Sequence, residues 1–429
     1  MSEKLAINGG DPVRTKPWTR NITTGHEEIK LVTKVMEGGD LSLFEGSYTP
    51  TAPFSFWGGP YVQQLEKDWC KYYGTKYAVS VNSATSGLYA AIGALDIGFG
   101  DEVIVSPYTM SACASGPLVY GAIPIFADVE LETGCLDPNS IEEKITPKTK
   151  AILLVHQFGI PADMDAIMEI ARDHDLKVIE DCAQAHGAKY KGKYVGNFGD
   201  ISVFSLNVNK TIQTGEGGVC TTNDDELRFR LAMIRNHGEV AIVGSDYTHI
   251  QNLLGFNYRL TEVNAAIGIE QFKKLDKLNN HRMKLIDYLN ENLTKYDCFI
   301  TPNGRDGCYS TYYVYPLRYL VEKGGIKREE LIKMLKAEGM SFYPGYARPI
   351  YLQPCYQEKI VFKNGYPFTA PENKDIKTNY HKGSCPTCEK LYNEQMIVNG
   401  HVRYPHTIDD MDDILKAMEK VLKSTIKVV

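Results

Sequence analysis

The segment from about residue 77 to residue 222 constrains the fold more than any other part of the chain. Short apolar runs rich in β-branched residues alternate there with segments whose apolar residues recur at helical intervals. Strands that are apolar along their whole length are buried on both faces, as in a mostly parallel sheet covered by helices on each side. The pattern therefore predicts an α/β fold. The predicted strands cover residues 77–81, 103–105, 123–126, 152–155, 178–179, 201–204 and 219–221.

Beyond residue 255 this alternation ends. A helix that Asn223 is expected to cap precedes a long helical stretch from Thr261 to about Tyr296. The elements predicted after it are a strand at 309–317, a helix around Leu331 and Leu335, and a last helix that begins at Thr407 with Asp410 as its capping box.

Two domains are expected, because 429 residues exceed what one small core needs. We expect residues 1–260 to form a large α/β domain with an N-terminal arm at 1–30. Residues 261–429 are expected to supply a linker helix and a smaller α+β domain.

Composition excludes several classes of protein. The net charge of -6 leaves no basic footprint for nucleic acid, so small molecules are the expected ligands. The start, MSEKLAINGG, lacks the layout of a signal peptide, and no apolar run is long enough to span a membrane. The ten cysteines are scattered, as expected of reduced thiols. These features favour a cytoplasmic enzyme that is not bound to a membrane.

A lone lysine, Lys210, follows one predicted strand and precedes a glycine-rich turn at 214–218. A residue just past the carboxyl end of a parallel strand lies at the crevice where open α/β sheets bind ligands. A lysine that is desolvated there loses its proton more readily and can form a Schiff base with a carbonyl group. Taken alone, a lysine is more often a solvated surface residue, so a functional role for Lys210 depends on which residues lie near it.

Two more polar segments follow strands of the same predicted sheet. Asp181 stands where a carboxylate can pair with a protonated pyridine nitrogen, although it could also cap a helix or bind a metal. Residues 81–87, VNSATSG, open a helix whose N–H groups and hydroxyls could hold a phosphate, although Ser and Thr cap most helices. A phosphate cradle, a carboxylate and a lysine thus occur in that order on three strands.

With these motifs the chain resembles the DegT/DnrJ/StrS family of sugar aminotransferases. The resemblance runs from INGGDPV at residues 7–13 to the last helix. It implies the aspartate-aminotransferase-like fold (fold type I) and pyridoxal 5'-phosphate (PLP) as cofactor. The segments that carry it most clearly are GDEVIVSP (100–107), VHQFGIPAD (155–163), EDCAQAHG (180–187), TGEGG (214–218) and GFNYRLTE (255–262).

The resemblance implies a role for each matching residue. Lys210 corresponds to the lysine that carries PLP, and Asp181 to the acid that pairs with the pyridine nitrogen. Asn257 is similar to a residue that reaches the phosphate from the neighbouring subunit, which implies a homodimer with shared active sites. The residues that would hold the phosphate or face the ring are Ala84, Thr85, Gln184 and Ser205.

One position departs from the family pattern. Members commonly stack an aromatic residue on the PLP ring, where this chain has PYTM at 107–110. Either Tyr108 takes that role or Met110 covers the ring with its polarizable sulfur.

Candidates for substrate contact are less sharply defined. His186 follows Gln184 closely and either touches cofactor or substrate or is a packed core histidine, as His156 could be. Tyr343 lies in a loop near prolines and is a further candidate. Tyr346 and Arg348 share that loop.

No metal is expected. Cys385 and Cys388 form a single CxxC without a second pair at zinc spacing. The GEGG turn lacks the spacing of a dinucleotide-binding loop.

The resemblance implies transfer of an amino group from glutamate or glutamine to a nucleotide-linked keto sugar or to a keto cyclitol such as an inosose. The INGGDPV and SPYTMSA segments favour the cyclitol branch. Two alternatives stay open. One is a PLP-dependent sugar dehydratase or an aromatising enzyme such as an aminohydroxybenzoate synthase, although Lys210 argues against dehydratases in which histidine replaces this lysine. The other is a regulator that binds PLP without turnover.

Overall fold

The computed structural model describes residues 3–49 and 54–425. Its strands are β1 (Tyr77–Val81), β2 (Glu102–Val105), β3 (Ile123–Phe126), β4 (Thr149–Val155), β5 (Lys177–Asp181), β6 (Lys189–Tyr190), β7 (Lys193–Tyr194), β8 (Ile201–Ser205), β9 (Gly218–Thr222), β10 (Phe299–Ile300), β11 (Tyr315–Tyr319), β12 (Phe342–Pro344) and β13 (Met396–Asn399). Its α-helices are α1 (His26–Gly38), α2 (Pro60–Tyr73), α3 (Ala84–Ala94), α4 (Ala112–Val119), α5 (Pro138–Lys144), α6 (Met164–Asp173), α7 (Asp225–Arg235), α8 (Gly238–Ala241), α9 (Glu262–Phe272), α10 (Leu275–Leu293), α11 (Val321–Gly324), α12 (Arg328–Ala337), α13 (Pro354–Gln357), α14 (Pro386–Lys390) and α15 (Ile408–Thr425).

The large sheet has seven strands in the order β1-β9-β8-β5-β4-β2-β3. The neighbours from β8 to β3 pair in parallel, whereas β9 runs antiparallel to both β8 and β1. Every strand predicted between residues 77 and 222 is present. The predicted α/β class is confirmed.

Both faces of this sheet are buried, and β4 shows how. Ile152 and Leu154 belong to one hydrophobic cluster, while Leu153 and Val155 belong to a second cluster on the opposite side. Successive side chains of a strand point to opposite faces, so an unbroken apolar run contributes side chains to the hydrophobic core on each face. Each such side chain stabilises the fold by about 1.5–3 kcal/mol.

A second sheet of four antiparallel strands, in the order β10-β11-β13-β12, follows in the C-terminal part. The strand predicted at 309–317 begins only at Tyr315. The preceding residues bond to a loop of the large sheet instead, since the N–H groups of Thr311 and Tyr313 donate to the carbonyls of Gly159 and Phe158, both at 3.0 Å. The extended run therefore joins the two sheets.

The helical stretch predicted from residue 261 to 296 is two helices, α9 and α10, with a break at Lys273 and Lys274. α9 packs on α1 and α2, whereas α10 packs on α15. Each half therefore has a different partner. Apolar periodicity alone does not reveal such a change of direction when neither Gly nor Pro marks it.

Two predicted caps had different outcomes. Asn223 does not cap α7; the Asp224 carboxylate accepts from the N–H of Leu227 at 2.9 Å, and Asn223 instead accepts from the N–H of Lys76 at 2.8 Å. At α15 the carboxylate of Asp410 accepts from the N–H of Thr407 at 2.8 Å, so the predicted start is confirmed.

The N-terminal segment, residues 5–18, packs on the C-terminal part of the chain. The N–H of Ala6 donates to Glu338 at 2.8 Å, and Arg14 forms ion pairs of 2.8 Å with Asp410 and Asp413. Trp18 stacks on His401 with ring centroids 5.0 Å apart. The division into domains at residue 260, with an arm at 1–30, stays a prediction.

Within residues 3–49 and 54–425, no helix combines the length and the apolar character needed to cross a membrane.

Candidate active site

A cavity of about 420 Å³ lies at the carboxyl ends of β5 and β8, beside the first turn of α3. Parallel sheets commonly bind ligands at this edge. A more open groove of about 570 Å³, beside Trp57, Lys76 and Arg228, contains none of the predicted site residues. The predicted residues that line the first cavity are Ala84, Thr85, Asp181, Gln184, Ser205 and Lys210.

Helix α3 directs its N-terminus into this cavity. The Ser83 hydroxyl caps the helix by accepting from the N–H of Ser86 at 3.0 Å. Close packing fixes the helix on the sheet, because a Cβ on Gly87 would lie 2.7 Å from Val203 and one on Gly218 would lie 2.8 Å from the nitrogen of Ala84. The free N–H groups and the positive end of the helix dipole suit an anion such as a phosphate.

Asp181 is the last residue of β5 and is 5% exposed. One carboxylate oxygen accepts from the N–H of Ala183 at 2.9 Å, and the other accepts from the Cys113 thiol at 3.1 Å. Burial raises the pKa of Asp181, and these two hydrogen bonds and the charge of Lys210 oppose that rise. The carboxylate is thus prepared to hold a cationic N–H group.

Lys210 lies in the turn between β8 and β9. Its Nζ sits 4.5 Å from the centre of the Tyr313 ring. Burial lowers the pKa of Lys210, and the charge of Asp181 opposes the shift. A lowered pKa increases the fraction of neutral, nucleophilic amine at neutral pH.

Polar groups hold the rest of the cavity wall in place. The Gln184 side-chain oxygen accepts from the N–H of Phe158 at 2.7 Å, and the Ser205 hydroxyl accepts from the N–H of Asn207 at 3.2 Å. The hydroxyls of Tyr313 and Tyr346 are hydrogen-bonded at 2.9 Å, and both residues line the cavity.

Tyr108, predicted to bind the cofactor, does not line the cavity, and its contact with the cofactor stays a prediction. Its fully buried ring packs edge-on against Phe158 and Tyr346, with centroids 6.0 and 6.1 Å away. The N–H of Tyr108 donates to the Ser106 hydroxyl at 3.2 Å, so the chain turns there. Of the two candidates, Met110 is the one that borders the cavity, with 61% of its surface exposed.

His186 and Tyr343, the predicted substrate residues, also lie outside the cavity lining. The His186 ring is buried between Trp69 and Phe204, and burial together with the charge of Lys210 lowers its pKa to about 3. Tyr343 is 39% exposed on β12. Their contact with substrate stays a prediction.

Asn257 is not among the residues that line the cavity of its own chain. It is exposed, and its side-chain oxygen accepts from Arg259 at 2.8 Å. Its role toward a neighbouring subunit stays a prediction.

A buried cluster of His156, Glu180 and Cys182 has the donor types of a metal site. Its carboxylate is already engaged, since it accepts from His156 at 3.1 Å and from the N–H groups of Gly196 and Phe198, both at 2.7 Å. These bonds tie β5 to the loop before β8. The cluster is well explained as structural support, and the expectation of no metal stays a prediction.

Two residues at the site were not foreseen. Cys113 reaches Asp181 from a position 68 residues earlier, and its only signal is that it also follows a strand of the large sheet. Tyr313 lies in the aromatic run before β11, a position that by itself predicts only burial.

The chain is similar to known proteins over most of its length. The chain is 38% identical to GDP-perosamine synthase of Escherichia coli O157:H7 over 72% of this chain and 83% of that protein. It is 31% identical to L-glutamine:2-deoxy-scyllo-inosose aminotransferase of Streptoalloteichus tenebrarius over 99% of this chain and 98% of that protein. An aminotransferase from Psychrobacter cryohalolentis, a solved structure, has a TM-score of 0.80 at 29% identity and covers 95% of this chain and 100% of its own.

Residues 54–395 match the DegT/DnrJ/EryC1/StrS aminotransferase family, whose aminotransferases depend on PLP. The match covers most of the chain and includes every residue predicted to bind the cofactor. The chain therefore belongs to this family of sugar aminotransferases and is a PLP-dependent aminotransferase.

Proposed function

We propose that this enzyme transfers an amino group from glutamate or glutamine to the keto group of a sugar or cyclitol. The observation that carries the proposal is the convergence of Lys210, Asp181 and the first turn of α3 on one cavity. An amine, an acid and an anion site at one sheet edge are the groups that amino transfer through PLP requires.

The residues present fit PLP. The Thr85 hydroxyl and the first N–H groups of α3 would hold its phosphate, together with Ser205. Asp181 would hold the proton on the pyridine nitrogen, and Lys210 would bond to the aldehyde carbon. The sulfur of Met110 would cover one face of the ring.

When bound, PLP supplies a carbonyl carbon that accepts an amino group and a ring that withdraws electrons. The protein's own part is to position groups and move protons. Nζ of Lys210, made less basic by burial, would act as the general base that takes the proton from the α-carbon of the amino donor. Asp181 keeps the pyridine nitrogen protonated while this happens.

The acceptor is a keto sugar linked to a nucleotide or a free keto cyclitol. Both kinds of relative occur, but the inosose aminotransferase aligns over 99% of this chain and the perosamine synthase over 72%. The longer alignment, which extends over nearly the whole chain, supports the cyclitol.

Of the alternatives, the presence of Lys210 supports amino transfer over a dehydratase that uses histidine. An aromatising enzyme would use the same lysine but would lose water. A regulator without turnover would leave a buried lysine and acid idle, and both groups cost free energy to bury.

We also propose a cytoplasmic homodimer with shared active sites. Asn257 is exposed and does not line its own cavity, which leaves its side chain accessible to a partner subunit. All ten cysteines are free thiols, which supports a reducing compartment.

A panel of acceptors tests the proposal. The purified enzyme, with PLP, is given glutamate or glutamine together with inososes or nucleotide-linked keto sugars. We expect 2-oxo acid and amino product to form in equal amounts. A product that has lost water, or 2-oxo acid formed without amino product, would contradict amino transfer.

The lysine can be tested directly. Lys210→Ala should lower the rate by a factor on the order of 10² to 10⁴, because the general base is lost. Lys177→Ala, at the exposed start of β5, is the control and should keep full activity. Borohydride reduction followed by peptide mapping should label Lys210, and label at another lysine would refute its role.

A further inference from the structure

The groove of about 570 Å³ lies between α2, the start of β1 and α7, away from the cavity that contains Lys210. β1 separates the two sites. Its first residue, Tyr77, lines the groove, whereas Ser83 and Ala84, which follow its last residue, line the cavity. The two sets of lining residues do not overlap. A volume of this size can hold a small molecule such as a nucleotide.

Positive charge exceeds negative charge around this groove. Lys67, Lys76 and Arg228 contribute three cations, and the single acid that lines the groove among the described residues is Glu66. Glu66 is already neutralised by a buried ion pair of 2.9 Å with Arg235. The local charge therefore favours an anionic ligand.

Arg228 combines a fixed position with free hydrogen-bond donors. Its guanidinium lies over the Trp57 ring, 4.2 Å from the centroid, and over the Tyr77 ring at 4.6 Å. Cation–π contacts with two rings hold the side chain in place. Within residues 3–49 and 54–425 the guanidinium forms no ion pair and no hydrogen bond, so its N–H groups are available to a ligand.

The acid at the start of α7 is engaged by other groups. Asp225 accepts hydrogen bonds from Nζ of Lys76 and from the Tyr77 hydroxyl. These two bonds are the main reason why the pKa of Asp225 is lowered, and the charge of Arg228 adds less. Lys67, exposed on α2, also has no ion pair in the part of the chain that the structure describes. Arg228 and Lys67 therefore lack a counter-ion within that part.

We propose that this groove binds a phosphate-bearing small molecule, inorganic or organic, and that Arg228 holds its phosphate. A planar guanidinium can donate two parallel hydrogen bonds to two phosphate oxygens, while Lys67 and Lys76 supply further positive charge. Three cations around one groove match the charge of a phosphate or diphosphate better than that of a single carboxylate. The site is separate from amino transfer and does not depend on it.

The test uses the PLP-loaded enzyme, so that the phosphate site proposed at α3 is filled. Pyrophosphate is titrated by calorimetry. Its dissociation constant should rise roughly 10- to 100-fold in Arg228→Gln, because hydrogen bonds between charged groups are lost. Arg228→Lys keeps the charge but loses the planar fork, so its dissociation constant should fall between the two. Arg172→Gln, which alters an exposed arginine on α6, is the control and should bind as the original protein does.

Modification of lysines by acetic anhydride locates the bound anion. Saturating pyrophosphate should slow the acetylation of Lys67 and leave that of Lys34, exposed on α1, unchanged. The protection of Lys67 should disappear in Arg228→Gln. Mass spectrometry of peptides measures both lysines, and circular dichroism checks that each variant is folded.

Adenosine 5'-diphosphate distinguishes the two sources of phosphate. Protection of Lys67 at a lower concentration of this nucleotide than of pyrophosphate would assign an organic phosphate, and equal concentrations would assign a free phosphate ion. Unchanged affinity for pyrophosphate in a folded Arg228→Gln would overturn the inference. Acetylation of Lys67 that neither ligand slows in the unaltered enzyme would overturn it as well, without reliance on any variant.

Discussion

Two donors from distant parts of the chain meet at the carboxylate of Asp181. The N–H of Ala183 comes from the next turn, while the Cys113 thiol comes from α4 at 3.1 Å. Both bonds favour the charged form of a buried acid. Cys113 is therefore expected to act through Asp181 as a positioning residue.

Removal of this thiol should weaken cofactor binding. In Cys113→Ala one oxygen of Asp181 loses its donor, so the dissociation constant of PLP should rise roughly 10-fold or more, while Cys113→Ser should stay near the original value. Absorbance titration of PLP-free protein measures both. Cys135→Ala is the control, since that buried thiol bonds to the Ile160 carbonyl. Equal affinities in all four proteins would show that the thiol only fills space.

His186 should make the fold sensitive to acid. Its pKa in the folded protein is about 3, below the ordinary value of about 6.5 in the unfolded chain. Above pH 6.5 the ring is neutral in both states, so its titration does not change the free energy of unfolding. As the pH falls from 6.5 toward 3, only the unfolded chain takes up the proton, so stability is lost at up to about 1.4 kcal/mol per pH unit.

Urea unfolding of the original protein and of His186→Gln, at one protein concentration, checks this sign. Between pH 7 and pH 5 the original protein should lose about 2 kcal/mol more than the variant, because titration of other groups cancels in the comparison. Parallel losses would mean that His186 is protonated in the folded state.

At the residue scale, the sequence predicts the site residues that lie at the end of a strand, because the end of one strand is enough to locate them. Ala84, Thr85, Asp181, Gln184, Ser205 and Lys210 all lie at or shortly after the ends of strands of one sheet, and all line the cavity. Contacts made by residues far apart in the chain, such as Cys113 with Asp181, leave no local pattern. The sequence left Tyr108 and Met110 as alternatives, because the turn after Ser106 decides which of the two side chains borders the cavity.

At the scale of elements, the contact of α3 with the sheet sets the position of the anion site. Gly87 faces Val203 and Cys220 so closely that a methyl group would lie 2.7 and 2.9 Å from them. Side chains at such spacing must move apart, and the N-terminus of α3 would move with the helix.

Gly87→Ala should therefore destabilise the protein by about 1–3 kcal/mol and weaken PLP binding. Gly38→Ala at the end of α1 is the control, since nothing lies within 4 Å of the added atom and alanine favours the helix. Thermal unfolding and PLP titration of both variants give the comparison. A Gly87→Ala protein as stable as the original would show that the helix is not held so closely.

Elements defined by burial on two faces were predicted well, whereas those that depend on distant partners were not. β4 and β8 can be predicted from their continuous apolar runs alone, because such runs are stable only in a sheet that is buried on both faces. The break between α9 and α10 depends on which neighbours each helix contacts, and the late start of β11 depends on bonds to Gly159 and Phe158. Neither cause is local in sequence.

At the scale of the whole molecule, the segment around α8 exposes several large apolar side chains. Its exposed side chains are Val240 (54%), Val243 (84%), Ile250 (67%) and Leu254 (64%). Apolar groups gathered in this way commonly mark an interface. The segment also leads directly to Asn257, the residue proposed to serve a second subunit.

We expect the protein to sediment as a dimer of 48.1 kDa chains and Val243→Glu to sediment as a monomer. A buried, unpaired carboxylate at an interface would be costly. Val321→Glu on α11 is the control and should remain dimeric. Sedimentation velocity gives both masses, and a dimeric Val243→Glu would place the interface elsewhere.

The packing of residues 5–18 gives the beginning of the chain an influence on the active centre. Trp18 rests against His401 and His406, and the loop between these histidines carries Arg403, which bonds beside Lys210. A protein shortened to begin at residue 20 would retain every strand of the large sheet but would lose the contacts of Trp18 with that loop. Trimming or tagging this end is therefore expected to disturb the loop whose Arg403 bonds beside Lys210.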